Sequence, residues 1–253
     1  MAVATDELVR YCDQLLETGR FRDYCPNGLQ VEGRLQVQRV ITGVTACQAL
    51  LDEALAWDAD LVLVHHGYFW KGESAAITGI KRKRLRTLLT ADINLMAYHL
   101  PLDAHAELGN NAQLARRLGI NLDGPLEPGQ NPAIGNIGRL EQPLTLAEFG
   151  LRIEQVLGRV PQMIAGGDHP IERVALCTGA AERMIDLALE QGADLYLSGE
   201  ISEPVVHTAR EAGIHYCGAG HHATERYGVQ ALGEHLAQQF GLEHRFVDID
   251  NPV

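Results

Sequence analysis

Apolar residues along the chain follow two periods. Near the N-terminus Leu8, Cys12, Leu15 and Leu16 fall on one stripe of a helix, with Thr5 placed to cap it and Gly19 to stop it. Further on they come as short unbroken runs, VQRVITGV from Val37, DLVLV from Asp60, IERVALCTG from Ile171 and DLYLS from Asp194, separated by amphipathic stretches. Short, continuously apolar strands that alternate with helices predict largely parallel sheets covered on both faces, so the class is α/β.

The pattern repeats. Val37 to His66 aligns without gaps on Ile171 to Glu200, an offset of 134 residues, with identical pairs that include Arg39/Arg173, Val40/Val174, Ala46/Ala180, Asp52/Asp186, Leu55/Leu189, Asp60/Asp194 and Leu63/Leu197. Each copy reads as strand, helix, strand, and the unbroken register points to duplication into two similar α/β domains. Between the copies Asn121 to Ile137 is rich in Gly, Pro and Asn, which marks a boundary. The expected division is a first domain over 1–124, completed by 217–253, and a second over 125–216. After the second copy the chain returns through the strand IHYCG to a helix and a final strand, HRFVDI.

Composition narrows the class. Five scattered cysteines without a C-x-x-C pair suit reduced thiols in a cytoplasmic protein and fit neither a disulfide framework nor a zinc ribbon. No apolar run approaches a membrane span, and Asp6, Glu7 and Arg10 in the first turns do not read as a signal peptide. A net charge of −12 disfavours a broad grip on nucleic acid. The local exception is Lys81, Arg82, Lys83, Arg84 and Arg86. It reads as the solvated face of a helix whose Leu85, Leu88 and Leu89 pack inward, with a phosphate-binding patch as the alternative.

Metal-ligand side chains follow three apolar strands: His65-His66-Gly67, then His99 through Asp103 to His105, then His221-His222 through Glu225. Ligands collect at the carboxyl ends of strands in open α/β sheets, so three such loops on one sheet edge would make a site. Adjacent histidines on an ideal strand face opposite ways, so the strand must end at His65-His66, with Gly67 supplying a flexible turn. His221 and Glu225 are spaced i, i+4 on one helical face, which continues through Val229, Leu232 and Leu236. Mixed imidazole and carboxylate donors suit zinc, manganese, iron, nickel or cobalt rather than calcium or a thiolate cluster. Each motif alone has a bland reading: an incidental His-His pair, a helix-terminal His-Glu pair, and Asp103 capping a turn beside Pro101. Their shared strand-end placement favours metal.

At these residues the chain resembles the YbgI-like family, the GTP cyclohydrolase 1 type 2 homologues. The resemblance rests on CPNGLQVEG at Cys25–Gly33, LVHHGYFWKGES at Leu63–Ser74, YHLPLDAHAELGNNAQLA at Tyr98–Ala115, YLSGEISE at Tyr196–Glu203 and GHHATERYG at Gly220–Gly228. It implies two divalent metal ions per chain, His66 and Asp103 serving one, His65 and His221 the other, and Glu225 both. It further implies two similar α/β domains and a ring-shaped hexamer built from dimers.

The neighbouring residues have two readings each. His99 and His105 could shuttle protons or orient ligands, or be structural histidines. Glu200, equivalent to His66 in the second copy, could be a general base or a relic of duplication. Tyr68, Trp70 and Lys71 could stack on a base or meet a phosphate, or pack structurally. The expected function is a metal-dependent hydrolase of a nucleotide or related heterocycle, with Glu200 and His99 as catalytic candidates and a place in damaged-nucleotide handling. The alternative is a non-catalytic, metal-loaded ring that binds a protein or nucleic-acid partner.

Overall fold

The computed structural model describes residues 2–253, which divide into two compact units. One runs from the N-terminus to Leu108 and takes in Gly228–Asp250; the other comprises Gly109–Tyr227 and Asn251–Val253.

In chain order the first unit holds β1 (Val3–Ala4), α1 (Thr5–Leu15), β2 (Gly28–Val31), β3 (Gln36–Val37), β4 (Arg39–Thr45), α2 (Gln48–Ala56), β5 (Leu61–His66), α3 (Gly79–Thr90), β6 (Asn94–Ala97) and α4 (Leu100–Ala104). The second follows with α5 (Asn110–Leu118), β7 (Ile120–Pro125), β8 (Asn136–Leu144), α6 (Leu146–Leu157), β9 (Gln162–Ile164), β10 (Ile171–Cys177), α7 (Ile185–Glu190), β11 (Leu195–Ser198), α8 (Glu203–Ala212), β12 (His215–Gly218) and α9 (His221–Thr224). The chain re-enters the first unit along α10 (Arg226–Phe240) and ends its regular structure with β13 (Glu243–Phe246).

The first unit is built on a five-stranded sheet in the order β13-β4-β5-β6-β2. Strands β13, β4, β5 and β6 are mutually parallel and β2 is an antiparallel edge. Alternate side chains of β5 feed two cores: Leu61 and Leu63 pack with Leu8, Cys12, Leu232 and Leu236, while Val62 and Val64 pack with Leu50, Leu51, Leu85 and Leu88. Burial on both faces explains why β5 is apolar from Leu61 to Val64, before it reaches its two histidines. Each such side chain contributes roughly 1.5–3 kcal/mol of transfer free energy.

The second unit has a six-stranded sheet in the order β7-β8-β10-β11-β12-β9. Its centre β10-β11-β12 is parallel, and the pairings β7/β8, β8/β10 and β12/β9 are antiparallel. The duplication is visible in hydrogen bonds as well as letters. Val40 is opposite Leu61, and Val174 is opposite Leu195, each pair 134 residues apart from the other. Asp60 Oδ2 accepts from the backbone N–H of Gln38 and Arg39 at 2.8 and 2.9 Å. Asp194 Oδ2 accepts from those of Glu172 and Arg173 at 2.9 and 2.7 Å. One carboxylate thus pins the entry of the first parallel strand to the entry of the second in both units.

Several sequence expectations shift. The division falls at 108/109 and 227/228, because β7 pairs with β8 and β12 with β11, and α5 sends Leu114, Ala115 and Leu118 into the second core beside Phe149. The Gly/Pro-rich stretch from Asn121 is therefore an edge strand and loop inside the second unit. Punctuating residues mark a loop, but backbone pairing decides to which sheet it belongs. Thr5 is not the N-cap of α1. Ala4 is, and Thr5 Oγ1 instead donates to the Arg34 carbonyl at 2.6 Å. Leu85 and Leu88 of α3 are buried but Leu89 is exposed, and Arg82, Lys83 and Arg86 lie on the solvent face. Lys81 pairs with Glu73 at 3.3 Å and donates to the Ser74 carbonyl at 3.0 Å.

Removing the strand-entry carboxylate leaves two backbone donors to find other acceptors. Asp194→Ala is therefore expected to lower stability by about 1–3 kcal/mol in urea denaturation. Asp60→Ala, which also loses Arg34 as an ion-pair partner, should cost at least as much. An unchanged midpoint for both would contradict the assigned role.

Candidate metal centre

In the first unit the second and third parallel strands, β5 and β6, are neighbours, so their carboxyl ends open on the same edge. His65 and His66 are the last two residues of β5, and the chain leaving β6 passes through Tyr98 and His99 into α4, which carries Asp103. His65 is fully buried and Asp103 is 6% exposed. The His65 and His66 rings lie 4.6 Å apart at 45°, so ending the strand there does bring both to one place. Gly67 contributes by space rather than by unusual backbone angles. A Cβ there would collide with Gln30 Oε1 and stand 2.6 Å from Ala97 Cβ.

The second unit repeats the arrangement on β11 and β12, which are also parallel neighbours. Glu200 follows β11, and α9 after β12 begins at His221 and breaks at Glu225, from which α10 continues. The expected three neighbouring loops on one sheet edge are thus two loops on each of two sheets. Strand β12, which the expected boundary at 217 would have split, hydrogen-bonds along its whole length to β11 and belongs to the second sheet.

Each imidazole is held through Nδ1. His65 Nδ1 lies 2.9 Å from the carbonyl oxygen of Tyr98, an acceptor, so the ring carries its proton on Nδ1 and turns Nε2 towards Asp103 Oδ1 at 3.5 Å. His66 Nδ1 is 3.3 Å from Thr45 Oγ1. His221 Nδ1 is 2.7 Å from Glu200 Oε1, and its Nε2 is 3.1 Å from Glu225 Oε2. Burial would lower the His221 pKa, but Glu225 and Glu200 outweigh it and raise it to about 9. Two carboxylates therefore share one positive charge, a proton on Nε2, at a point where a cation would serve equally. Glu225 is 3% exposed. Its position depends on Gly179, at φ 68°, since a Cβ there would collide with Glu225 Oε1 and stand 3.3 Å from His221 Nε2.

The other sequence candidates separate. Glu200 meets the site through His221, with its side chain 40% exposed. His99 lies beside the histidine pair, its ring centroid 5.1 Å from His65 and 5.8 Å from His66. Trp70 stands 5.0 Å from His99 and 5.8 Å from His66, with its indole N–H donating to the Gly67 carbonyl. His105 is structural: its Nδ1 accepts the backbone N–H of Glu107 and Leu108 at 3.2 and 3.0 Å, and burial lowers its pKa. Tyr68 is buried and donates to the Ala46 carbonyl at 2.8 Å.

Sequence reasoning missed Asp23. Its carboxylate, 3% exposed, takes His99 Nδ1 at 2.7 Å, the Leu100 N–H at 3.0 Å, the Tyr24 N–H at 2.6 Å and Asn27 Nδ2 at 2.9 Å. Asn27 Oδ1 in turn accepts the His99 N–H at 2.8 Å. Nothing in the spacing of a loop 76 residues upstream of His99 could reveal this; only its position against the quoted CPNGLQVEG motif hints at it.

Together these observations define a duplicated α/β protein whose strand-end loops gather imidazoles and carboxylates in sets that could hold a metal ion, among them His65, His66 and His99. The model of the Duf34/NIF3 (NGG1p interacting factor 3) family matches residues 3–252. A Pseudomonas aeruginosa protein named GTP cyclohydrolase 1 type 2 homolog is 56% identical over 253 residues, covering all of both chains. A Haemophilus influenzae protein of the same name is 52% identical with 98% of each chain covered. Among solved structures, a structural-genomics protein named ybgI, of unknown function, is 50% identical with a TM-score of 0.95, covering 99% of this chain and 100% of that one. A Thermus thermophilus protein is 40% identical at a TM-score of 0.88, with the same coverage. The chain belongs to the Duf34/NIF3 family. No helix among the described residues is long and apolar enough to cross a membrane.

Burial alone would raise the Asp23 pKa, but hydrogen bonds from His99 and Asn27, the charge of His99 and the Tyr24 N–H bring it down to about 2. A carboxylate depressed on folding stabilises the fold above its unfolded value near 3.8 and loses that contribution as pH falls through the folded value. The stability gap between wild type and Asp23→Asn should therefore be constant above pH ~5 and close between pH ~4 and ~2. Urea denaturation across this range measures it, and a gap that stays constant to the lowest pH would contradict the assignment.

Proposed function

We propose that His65, His66, Asp103, His221 and Glu225 hold a pair of divalent metal ions, and that the protein is a metal-dependent hydrolase acting on a nucleotide or related heterocycle. The observation that carries this reading is the oxygen anchoring of Nδ1 on His65 and His221, which sets the tautomer and turns Nε2 towards a buried carboxylate. Metal-ligating histidines are held in this way, by a carbonyl or carboxylate behind the ring. The donors are imidazole nitrogens and carboxylate oxygens without thiolate, which suits zinc, manganese, iron, nickel or cobalt.

Held by these residues, such ions would supply Lewis acidity and would lower the pKa of a water towards neutrality. The chain's own residues do the rest. Glu200 keeps the His221 ring in place, and its half-exposed carboxylate can carry a proton between the site and solvent. The Trp70 indole, beside His66 and His99, offers a flat face to a heterocyclic ring. The name shared by the Pseudomonas and Haemophilus relatives is compatible with a nucleotide substrate. A ring-shaped hexamer, implied by the family resemblance, is the assembly proposed for the working protein.

Protein purified without chelators should carry about two divalent ions per chain by elemental analysis, in line with a two-metal site. Turnover of at least one compound in a panel of GTP, other nucleotides, phosphoesters and cyclic amides should be abolished in His66→Ala and Glu225→Ala. Gly179→Ala, which alters no ligand but obstructs Glu225, should lose both metal and turnover. Absence of metal with no uptake on addition would overturn the metal reading. Metal retained with no turnover across the panel would overturn the hydrolase and favour a metal-loaded scaffold.

A further inference from the structure

We propose that His99 is a further metal-ligating side chain of this centre and that Asp23 is the positioning residue that aims it. The inference rests on the metal reading above and extends its ligand set; it assigns His99 to the metal in place of the proton-relay role that its position also allowed.

Four observations converge on His99. It leaves the carboxyl end of β6, immediately beside the end of β5 that presents His65 and His66. One ring nitrogen from each of His65, His66 and His99 lies within 4.8 Å of the others. Nδ1 of His99 is committed to Asp23 at 2.7 Å, so Nε2 is the nitrogen the ring has to offer. The ring plane is also fixed, with the Trp70 indole 5.0 Å away at 83° and Tyr24 6.3 Å away at 65°.

The build of this residue matches that of the other ligand histidines. His65 has a carbonyl behind Nδ1 and His221 has the Glu200 carboxylate; His99 has the Asp23 carboxylate. A histidine that merely filled space would not need so complete a support. Asp23 is saturated by donors, His99 Nδ1 and the backbone of His99's successor among them, and Asn27 takes the His99 N–H. The same carboxylate therefore fixes the ring and the start of α4, which carries Asp103. With its oxygens occupied in this way, Asp23 is itself a support and not a ligand.

Cobalt(II) substitution tests this directly, because the Nδ1 proton of each ligating imidazole then gives its own strongly displaced, exchangeable proton resonance. The cobalt protein in water should show one such resonance for each of His65, His66, His99 and His221. His99→Ala and His99→Gln should each remove one resonance and leave those of the other histidines. Asp23→Asn should keep the His99 ligand but shift its resonance and quicken its exchange with solvent. Loss of the orienting group should weaken cobalt binding by about 10- to 100-fold. A wild-type spectrum with resonances for His65, His66 and His221 alone, unchanged in His99→Gln, would overturn the assignment of His99 while leaving the metal centre standing. That count is read on the wild-type protein and does not depend on any variant folding. Failure of the protein to bind cobalt at all would overturn both readings together.

Discussion

The hydrogen bond behind each imidazole is the interaction on which the site depends. A histidine ring can present either nitrogen, and it rotates unless something holds it. Here the Tyr98 carbonyl holds His65, Glu200 holds His221, and Asp23 holds His99. Each contact both chooses the tautomer and fixes the ring, and on His65 and His221 it leaves Nε2 to meet the buried carboxylates Asp103 and Glu225. Such anchors need rigid platforms. Parallel strands with both faces buried supply them, and the strands in turn start in register because Asp60 and Asp194 tie their entries together.

Duplication explains why the same solution occurs twice. In each unit the ligand-type residues leave the second and third parallel strands, β5 and β6 in one, β11 and β12 in the other. The copies have diverged where chemistry is concerned and not where support is concerned. Asp60 and Asp194 do the same work, whereas His66 is answered by Glu200, which stands behind a histidine instead of beside one. Gly179 shows how tightly the second copy is fitted, because a single methyl group there would displace Glu225.

Much of this was legible in the sequence, for physical reasons. Continuous apolar runs read as doubly buried strands, and the unbroken 134-residue register read as duplication. His65, His66, Asp103, His221 and Glu225 stood out because metal-ligand residues clustered just after such runs. The domain boundary was not legible, since local composition marks the loop after Asn121 but long-range pairing of β7 and β12 decides which sheet owns them. The support of His99 was also hidden. Asp23 meets it across 76 residues of chain, and its place just before the CPNGLQVEG motif is the only local feature that distinguishes that aspartate from others in polar loops. Thr5 illustrates the opposite error, a good capping residue drawn instead to the Arg34 carbonyl by tertiary structure.

The central claim is that these anchored imidazoles and carboxylates exist to hold metal. Anomalous X-ray diffraction from crystals of the protein as isolated, collected on both sides of the metal absorption edges, tests it most directly. The account predicts a pair of anomalous peaks, each within bonding distance of an imidazole Nε2. No anomalous density at His65, His66 and His221, in crystals soaked with manganese or zinc as well as in untreated ones, would contradict it.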